Sequence, residues 1–405
     1  MRVLVLSNLY PPRALGGYEL SCRDVVDRWR AAGHEVLVLS GDAPVGEGAA
    51  GDDPSHVRPV LQLYWEDHRI LNPPLRQRWV IERSNTRALE DVLADFRPEV
   101  ASVWNMGAMS MGLLSRLGRR GIPVVSVICD EWPFYGPRVD AWLRPLAGRP
   151  RLARVIGSLT GLETRPPPLD DLGPALFVSD WLRRVVRERS SWAFPDSAVV
   201  PSGIDPADFP LVQPEDREGF SWRLLSVGRI DPRKGFEVVI RALPLLPPEA
   251  TLEIIGGGEE AHRLELAGQA ARLGVADRVR FDVVPRSELS GRYRAADAVI
   301  FPSAWEEPFG LVPLEAMASG TPVVAVPSGG SAEFLAEGAN CLTFPPGDAP
   351  ALAAALGRLA GDGALRSALR AGGQATAARF SVDRLASDLL EHHLRVAVEG
   401  SPVGA

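Results

Sequence analysis

Short apolar runs recur along the chain and alternate with longer stretches in which apolar residues return at helical spacing. The runs in the first half are RVLVLS, HEVLVLS, EVASVW, PVVSVI and ALFVS, and those in the second half are RLLSVG, TLEIIG, RVRFDVV, AVIFPS and PVVAV. Nearly continuous apolar strands that alternate with amphipathic helices are typical of parallel sheets covered by helices on both faces. The pattern therefore predicts an α/β protein.

The alternation is interrupted once, at the segment GIDPADFPLVQPEDREGFSW over residues 203–222. This segment is rich in proline and charge and has no apolar periodicity, which is typical of an interdomain linker. We predict a doubly wound domain over residues 1–205, a linker over 206–221 and a second doubly wound domain over 222–381. The helical pattern over about 382–399 is compatible with either domain.

Composition narrows the functional class. The chain has 405 residues and a net charge of −7 without a long basic run, which argues against nucleic-acid binding because that binding needs clustered cations. Cys22, Cys129 and Cys341 are far apart, which favours a reducing cytoplasm over a disulfide framework and predicts no metal centre. The first apolar run is too short for a signal peptide or a membrane span.

Parallel sheets bind ligands beyond the carboxyl ends of their strands, so the loops after the predicted strands are candidate sites. Gly16 and Gly17 follow the first strand and open a helix, where glycines let a backbone approach a phosphate. The loop matches neither the dinucleotide fingerprint nor the Walker sequence, and a plain turn is the alternative. Gly256 and its two following glycines either make room for a ribose or base or form a tight turn, and the sequence leaves both open.

Two cations follow the first strand of the second half, in VGRIDPRKGFEVVIRAL. Lys234 lies at a predicted helix start, where it opposes the helix dipole, so we expect a negative group to compensate it. Arg229 offers a fork of donors and Lys234 a mobile point charge, a combination that suits a diphosphate. The alternative is that both are solvated surface cations.

The stretch AWEEPFGLVPLEAMASGTPVVAV predicts a loop, a short helix and a buried strand. Glu307 falls on the loop, and we expect Glu315 in the first helical turn. The amides of Phe309, Gly310 and Leu311 have no partner within the helix and suit an anion. The carboxylates either stabilise the helix start or accept hydroxyl groups. With a diphosphate beside them, Glu315 suits a ribose diol and Glu307 a hexose diol, so the predicted ligand is a nucleotide sugar.

These segments together resemble the retaining glycosyltransferases of the GT-B fold, specifically glycosyltransferase family four. The most specific piece is the pair Glu307 and Glu315 in EEPFGLVPLEAMASGTPVVA, joined by GRIDPRKG, VVPSGIDPADF, RYRAADAVIFPS and the opening PPRALGGYEL. The resemblance covers nearly the whole chain. It implies two Rossmann-like parallel-sheet domains that face each other across a cleft, with the acceptor bound mainly by the first domain, the donor mainly by the second, and the terminal helix packed on the first.

The resemblance also implies roles for individual residues. It assigns sugar hydroxyls to Glu307, the ribose to Glu315, the diphosphate to Arg229 and Lys234, and a closing loop to Gly16 and Gly17. From these roles together with the loop analysis, we expect catalytic residues at Glu307, Arg229, Lys234 and Asp130, and donor contacts from Gly16, Gly17, Cys129, Gly256, Phe309, Gly310, Leu311 and Glu315.

One position departs from the family. Cys129 in SVICDEWPFYGP stands where the family commonly has histidine, while Asp130 and Trp132 are kept. That histidine contacts the outer hydroxyls of the donor sugar, so the choice of donor is open here. Cys129 is otherwise interpreted as a small buried residue that ends a strand.

The sequence thus predicts a metal-independent, retaining glycosyltransferase without a cofactor, whose acceptor is a glycan, a lipid-linked molecule or a natural product. A sugar-nucleotide epimerase of the same fold and an inactive nucleotide-sugar binding subunit are the alternatives. The segment RVDAWLRPLAGRPRLARVIGSL mixes arginines with apolar residues, which indicates either a solvated helical face or contact with the inner face of the membrane.

Overall fold

The computed structural model describes residues 1–13, 16–43, 53–66, 69–211 and 219–399. The chain forms two compact units, one from Met1–Pro201 together with the chain from Asp383 onward, and one from Ser202–Val382. Of the predicted linker, residues 212–218 lie outside the described ranges. Over the described ranges, no helix is both long and apolar enough to cross a bilayer.

The first unit alternates strands and helices as the sequence predicts. In chain order its elements are β1 (Arg2–Ser7), α1 (Gly17–Ala31), β2 (Glu35–Gly41), β3 (Val57–Leu61), β4 (Trp65–Glu66), β5 (Arg69–Ile70), α2 (Leu75–Phe96), β6 (Val100–Asn105), α3 (Gly112–Arg119), β7 (Val124–Ile128), α4 (Trp132–Val139), α5 (Pro150–Thr160), α6 (Leu169–Leu172), β8 (Ala175–Phe177), α7 (Asp180–Arg189) and β9 (Ser197–Val199).

The second unit repeats the alternation, and the chain ends in a long helix. The elements are β10 (Arg223–Val227), α8 (Phe236–Ala242), β11 (Thr251–Ile255), α9 (Glu260–Arg272), β12 (Val279–Asp282), α10 (Arg286–Ala295), β13 (Ala298–Phe301), α11 (Leu311–Ala318), β14 (Val323–Ala325), β15 (Leu342–Thr343), α12 (Ala349–Gly361), α13 (Gly363–Ala377) and α14 (Val382–Glu399).

Each unit contains one parallel sheet. Among the described residues the strand order is β3-β2-β1-β6-β7-β8-β9 in the first unit and β12-β11-β10-β13-β14-β15 in the second, with β4 and β5 as a separate antiparallel pair. In both sheets the order reverses beside the first strand, between β1 and β6 and between β10 and β13. Doubly wound sheets bind ligands at such reversals, beyond the carboxyl ends of the strands.

All ten predicted strands are present. Most of their apolar runs are buried in the interior of a sheet, whereas β12 is a partly exposed strand at a sheet edge. The strands that the sequence analysis misses are short or lie at sheet edges: β3, β9 and β15 give no continuous apolar run. Edge strands bury only part of their surface, so their sequences carry little periodic signal.

The terminal helix α14 packs in the first unit. The indole Nε1 of Trp29 on α1 donates to the carbonyl of Ala386 at 2.9 Å, and its ring meets that of His393 at 4.8 Å between centroids. Nδ1 of His393 donates to the Leu389 carbonyl, and burial lowers the pKa of its imidazole to about 4. The folded state therefore holds this histidine neutral.

A buried carboxyl pair makes the stability of the same unit depend on pH. Glu82 on α2 accepts a hydrogen bond from the Tyr64 hydroxyl at 2.7 Å, while Asp140, just after α4, accepts from the amides of Met111, Trp142 and Leu143. Burial, with the charge of Asp140 added to it, raises the pKa of Glu82 to about 8, and burial also raises the pKa of Asp140. Two buried carboxylates repel each other, so the pair favours at least one proton.

The first prediction concerns this pair. The pKa of Glu82 is higher in the folded than in the unfolded chain, so its stabilising effect is complete below about pH 4.3 and is lost as the pH rises through about 8. We expect Glu82→Gln, which keeps an acceptor for Tyr64, to lose less unfolding free energy than the wild type between about pH 5 and about pH 8. Urea titrations measure it. Glu188→Gln on the exposed face of α7 is the control. If the unfolding free energy of Glu82→Gln falls with pH as steeply as that of the wild type, the prediction is wrong.

The second prediction concerns His393. Because its folded pKa is depressed, its contribution is complete above about pH 6.5 and is lost as the pH falls through about 4. We expect His393→Leu to reduce the loss of unfolding free energy between those limits. The difference between variant and wild type, measured by denaturant titration across the acid range, tests this. A constant difference at every pH would show that His393 does not titrate between the two states.

Candidate functional site

The strand reversal of the second unit brings two loops together. The loop after β10 carries Arg229 and Lys234, and the loop after β13 carries Glu307. Their backbones are joined, since the amides of Ala304 and Trp305 both donate to the Arg233 carbonyl, at 3.0 and 3.1 Å. Arg229, Lys234 and Glu307 therefore lie on two joined loops at the strand reversal of the second sheet.

Lys234 and Glu307 form an ion pair at the centre of these loops. Nζ of Lys234 lies 2.6 Å from Oε1 of Glu307, which also accepts a hydrogen bond from the Ser303 hydroxyl at 2.8 Å. Lys234 ends a short 3-10 turn directly before Gly235, which caps α8. The expected negative partner of Lys234 is confirmed, and it is one of the two glutamates. Among the described residues, Oε2 of Glu307 accepts no hydrogen bond.

Asp231 organises the other cations of the loop. Its carboxylate accepts two hydrogen bonds from the Arg233 guanidinium, at 2.9 and 2.6 Å, and lies 3.4 Å from Arg229. The Arg233 contacts hold the pKa of Asp231 well below its usual range. The guanidinium of Arg233 also lies 5.3 Å from the centre of the Trp305 ring, a side chain that is 40% exposed. The sequence analysis missed Asp231, Arg233 and Trp305, although all three lie within its quoted motifs.

A turn that follows β14 supports the Glu307 loop from behind. The amide of Gly330 donates to the Glu307 carbonyl at 2.7 Å, and the Ser328 hydroxyl donates to the Trp305 carbonyl at 2.8 Å. Gly329 has φ +57°, and a Cβ there would lie 2.3 Å from the Glu307 carbonyl oxygen. This position therefore requires glycine, and the close approach fixes the backbone of Glu307.

Helix α11 begins beside Glu307. Gly310 is its N-cap with φ +93°, and Leu311 is its first residue. The Phe309 ring is buried against Phe334 and Phe380, with centroids 5.4 and 5.6 Å apart. Phe309 thus belongs to the core, and only its backbone amide is suited to a ligand, together with the amides of Gly310 and Leu311 at the helix start.

Glu315 lies in the second turn of α11, so its expected place in the first turn is wrong. The helix begins at Leu311, two residues before the proline from which its start was predicted, because Gly310 provides the cap. Glu315 is buried, and its Oε2 accepts from the Tyr293 hydroxyl at 2.8 Å while Oε1 lies 3.7 Å from Arg286. Burial raises the pKa of Glu315, and Arg286 and Tyr293 oppose that rise.

The glycines after β11 are largely explained by backbone contact. Gly256 has φ +150°, and a Cβ there would lie 2.0 Å from the Gly228 carbonyl oxygen. A Cβ on Gly258 would similarly lie 2.3 Å from the Ile230 carbonyl oxygen, whereas one on Gly257 would meet nothing within 4 Å. Two of the three glycines are therefore required by the close approach of neighbouring strand ends.

The first unit has a polar network at its own strand reversal. Asp130, which follows β7, accepts hydrogen bonds from Nδ2 of Asn105 at 3.1 Å and from the Tyr135 hydroxyl at 2.8 Å. Asn8, which follows β1, accepts from the Tyr18 hydroxyl at 2.6 Å. Burial raises the pKa of Asp130, and the hydrogen bonds that it accepts oppose this rise. The sequence analysis found Asp130 and missed the side chains that hold it.

The other predicted residues of the first unit flank this network. Gly16 and Gly17 are exposed at the start of α1, where the Gly16 amide donates to the Glu19 carboxylate at 3.1 Å. Cys129 directly follows β7 and is half-buried, and burial raises the pKa of its thiol. Cys129 is therefore a protonated thiol at a strand end.

The second unit thus presents three cations against two carboxylates, with the free amides of α11 beside them. Charges arranged in this way can hold an anion and, through Oε2 of Glu307, a neighbouring hydroxyl. Across the described ranges, no group of three His, Cys, Asp or Glu side chains is placed to hold a metal ion.

Comparison with known proteins identifies the family. Residues 15–208 match the model "Glycosyltransferase Family 4", and residues 213–376 match "Glycosyl transferases group 1". D-inositol 3-phosphate glycosyltransferase of Xylanimonas cellulosilytica is 38% identical over 208 residues, 48% of this chain and 50% of that protein, so the chain aligns with about half the length of this relative. Glycogen synthase of Mycobacterium tuberculosis is 30% identical over 373 residues, 88% of this chain and 85% of that protein.

Solved structures show the same fold. Sucrose-phosphate synthase from Thermosynechococcus elongatus superposes with a TM-score of 0.73 at 21% identity, covering 98% of this chain and 99% of the other. Anabaena HepE in complex with UDP-glucose superposes with a TM-score of 0.66 at 21% identity, covering 96% and 98%. Both support the GT-B fold. Because two family models match in succession and one relative aligns over most of both lengths, the chain belongs to glycosyltransferase family 4, the glycosyl transferases group 1.

Proposed function

We propose that this protein is a retaining glycosyltransferase that moves a sugar from a nucleoside diphosphate donor to an acceptor without a metal ion. The observation that carries the proposal is the Lys234–Glu307 ion pair at the strand reversal of the second unit. It supports the proposal because the residue assigned here to the diphosphate lies within one hydrogen bond of the residue assigned to the sugar. The Anabaena HepE structure contains UDP-glucose, which makes UDP-glucose the first donor to test.

In this proposal the diphosphate is bound by Arg229, Lys234 and the first amides of α11. Asp231 balances part of the charge of Arg229 and Arg233, so the site is not strongly cationic before the donor binds. Lys234 can approach a phosphate oxygen while it stays close to Glu307, because its ammonium group has three donors. Cations and helix amides neutralise the leaving group, so the proposal needs no metal ion.

The two glutamates hold different parts of the donor. Oε2 of Glu307 accepts a hydroxyl of the transferred sugar, since its Oε1 is occupied by Lys234 and Ser303. Glu315 accepts ribose hydroxyls with the lone pairs that Tyr293 leaves available. Within the proposal, Gly16 and Gly17 keep the closing role that the family resemblance gives them, Asp130 stays an expected catalytic residue, and Cys129 and Gly256 stay expected donor contacts.

The chemical step breaks the bond between the anomeric carbon and the phosphate oxygen. The electron pair of this bond passes to the departing diphosphate, whose charge Arg229 and Lys234 stabilise. The acceptor oxygen forms the new bond on the same face of the sugar, and its proton passes to the departing phosphate oxygen. Retention follows because the leaving group and the acceptor use the same face, and the step needs no protein general base.

The third prediction is the direct test of this function. With UDP-glucose and a panel of sugar, inositol and lipid-linked acceptors, we expect release of UDP that depends on an acceptor and persists in EDTA. NMR of the product should show the anomeric configuration of the donor. An inverted product, or activity that EDTA abolishes and Mg²⁺ restores, would contradict the mechanism. A change of the donor without any acceptor would show an epimerase, and binding without turnover a catalytically inactive subunit.

The fourth prediction separates the charged residues by their effects on affinity. We expect Arg229→Ala and Lys234→Ala to weaken UDP binding by about 10- to 100-fold, because each removes a charge-assisted contact. Glu307→Gln should leave UDP affinity equal or higher, since it frees Lys234, and should weaken UDP-glucose. Glu315→Gln should weaken both ligands. Calorimetric titrations measure these affinities.

The matched control is Arg263→Ala, which removes an exposed arginine paired with Glu260 on α9. It should leave both affinities unchanged. If Glu307→Gln and Glu315→Gln weaken UDP to the same extent, the separate sugar and ribose roles are wrong. If neither Arg229→Ala nor Lys234→Ala weakens UDP, the diphosphate does not bind at this ion pair.

A further inference from the structure

Helix α5 of the first unit exposes its apolar side to solvent. Leu152 is 44% exposed, Val155 54% and Leu159 81%, whereas Ala153 is the buried residue of the helix. These three apolar residues follow the spacing i, i+3 and i+7, so they form one stripe along the helix. An amphipathic helix in a globular protein normally turns such a stripe towards the core, and here it faces outward.

The stripe lies beside a cluster of arginines. Arg144, Arg149, Arg151 and Arg154 are exposed, and the sequence from Ala141 to Leu162 contains no Asp or Glu. Because the whole chain carries a net charge of −7, this segment is a local exception to its overall charge. On a helical projection Arg151 and Arg154 flank one side of the stripe at about 100° and 160° from Leu152.

The segment around the helix is fixed in place. The indole Nε1 of Trp142, which precedes α5, donates to the Glu163 carbonyl at 2.7 Å, and Arg116 on α3 donates to the Gly161 carbonyl at 2.9 Å. Trp142 is buried, as are Leu143 and Leu146. Residues 141–162 therefore consist of a buried part before α5, which anchors the segment to the core, and of α5 itself, whose apolar stripe remains exposed.

We propose that α5 is a docking surface for an anionic lipid bilayer. An interfacial helix lies in the plane of the membrane with its apolar residues among the acyl chains and its basic residues at the headgroups. Leu152, Val155 and Leu159 supply the apolar contact, and the arginines supply attraction to anionic headgroups. Each signal alone gives weak, reversible binding, and the two together give stable attachment. The proposal does not depend on the glycosyltransferase activity.

The test is flotation of the full chain with vesicles of phosphatidylcholine alone or with about 30% phosphatidylglycerol, an anionic fraction chosen so that the surface potential attracts juxtamembrane arginines. We expect binding to the anionic vesicles only, and weaker binding as salt is raised. Arg151→Gln with Arg154→Gln should lower partitioning by about fivefold for each arginine. Leu159→Glu should abolish binding.

The matched control is Leu264→Glu, which alters a 57% exposed leucine on α9 and should bind as the wild type does. Circular dichroism and the unfolding midpoint establish that each variant is folded. Absence of wild-type binding, or equal binding of Leu159→Glu, would overturn the proposal. Self-association that Leu159→Glu abolishes in sedimentation velocity, without vesicle binding by the wild type, would show an interface between copies of the chain instead.

Discussion

The ion pair between Lys234 and Glu307 is the interaction on which the candidate site depends. A lysine directly before a helix opposes the helix dipole, and a buried carboxylate without a partner is costly, so each residue is unfavourable alone. Together, at 2.6 Å, each offsets the cost of the other. The pair also determines how much of each group remains for a ligand: further donors on the ammonium, and the second oxygen of the carboxylate.

The pair exists because of the topology of the sheet. β10 and β13 are far apart in sequence but adjacent in the sheet, so the loops that follow them leave from the same edge. The Arg233 carbonyl joins the two loops, and Gly330 holds Glu307 from the other side. These contacts are made by the backbone and hold both loops in place. The side chains of Arg229, Trp305 and Glu307 therefore project from short segments of fixed backbone. A site of this kind is preorganised by the fold.

The sequence predicts the central strands well, and it places the motif residues on the loops where the structure has them, for a physical reason. A strand buried on both faces must be apolar throughout, and a loop at a strand end must contain the polar residues that the site uses. What it could not provide is the pairing between motifs, because nothing local indicates that Lys234 meets Glu307, 73 residues away. The edge strands β9 and β15 and the buried position of Glu315 depend in the same way on neighbours that are distant in sequence.

Glu307 and Glu315 belong to one motif but have different environments, and the start of α11 separates them. Because Gly310 caps the helix, Glu307 precedes it on a loop, paired with a lysine, while Glu315 lies in the second turn among buried side chains. Burial raises the pKa of Glu315, and Arg286 and Tyr293 counter this rise. A ligand at Glu307 therefore meets a carboxylate already balanced by a cation, whereas a ligand at Glu315 must compete with, or add to, a closed hydrogen-bond network. The two glutamates thus differ: Glu307, before the helix, has one carboxylate oxygen open to a ligand, whereas Glu315, within the helix, is held by buried neighbours.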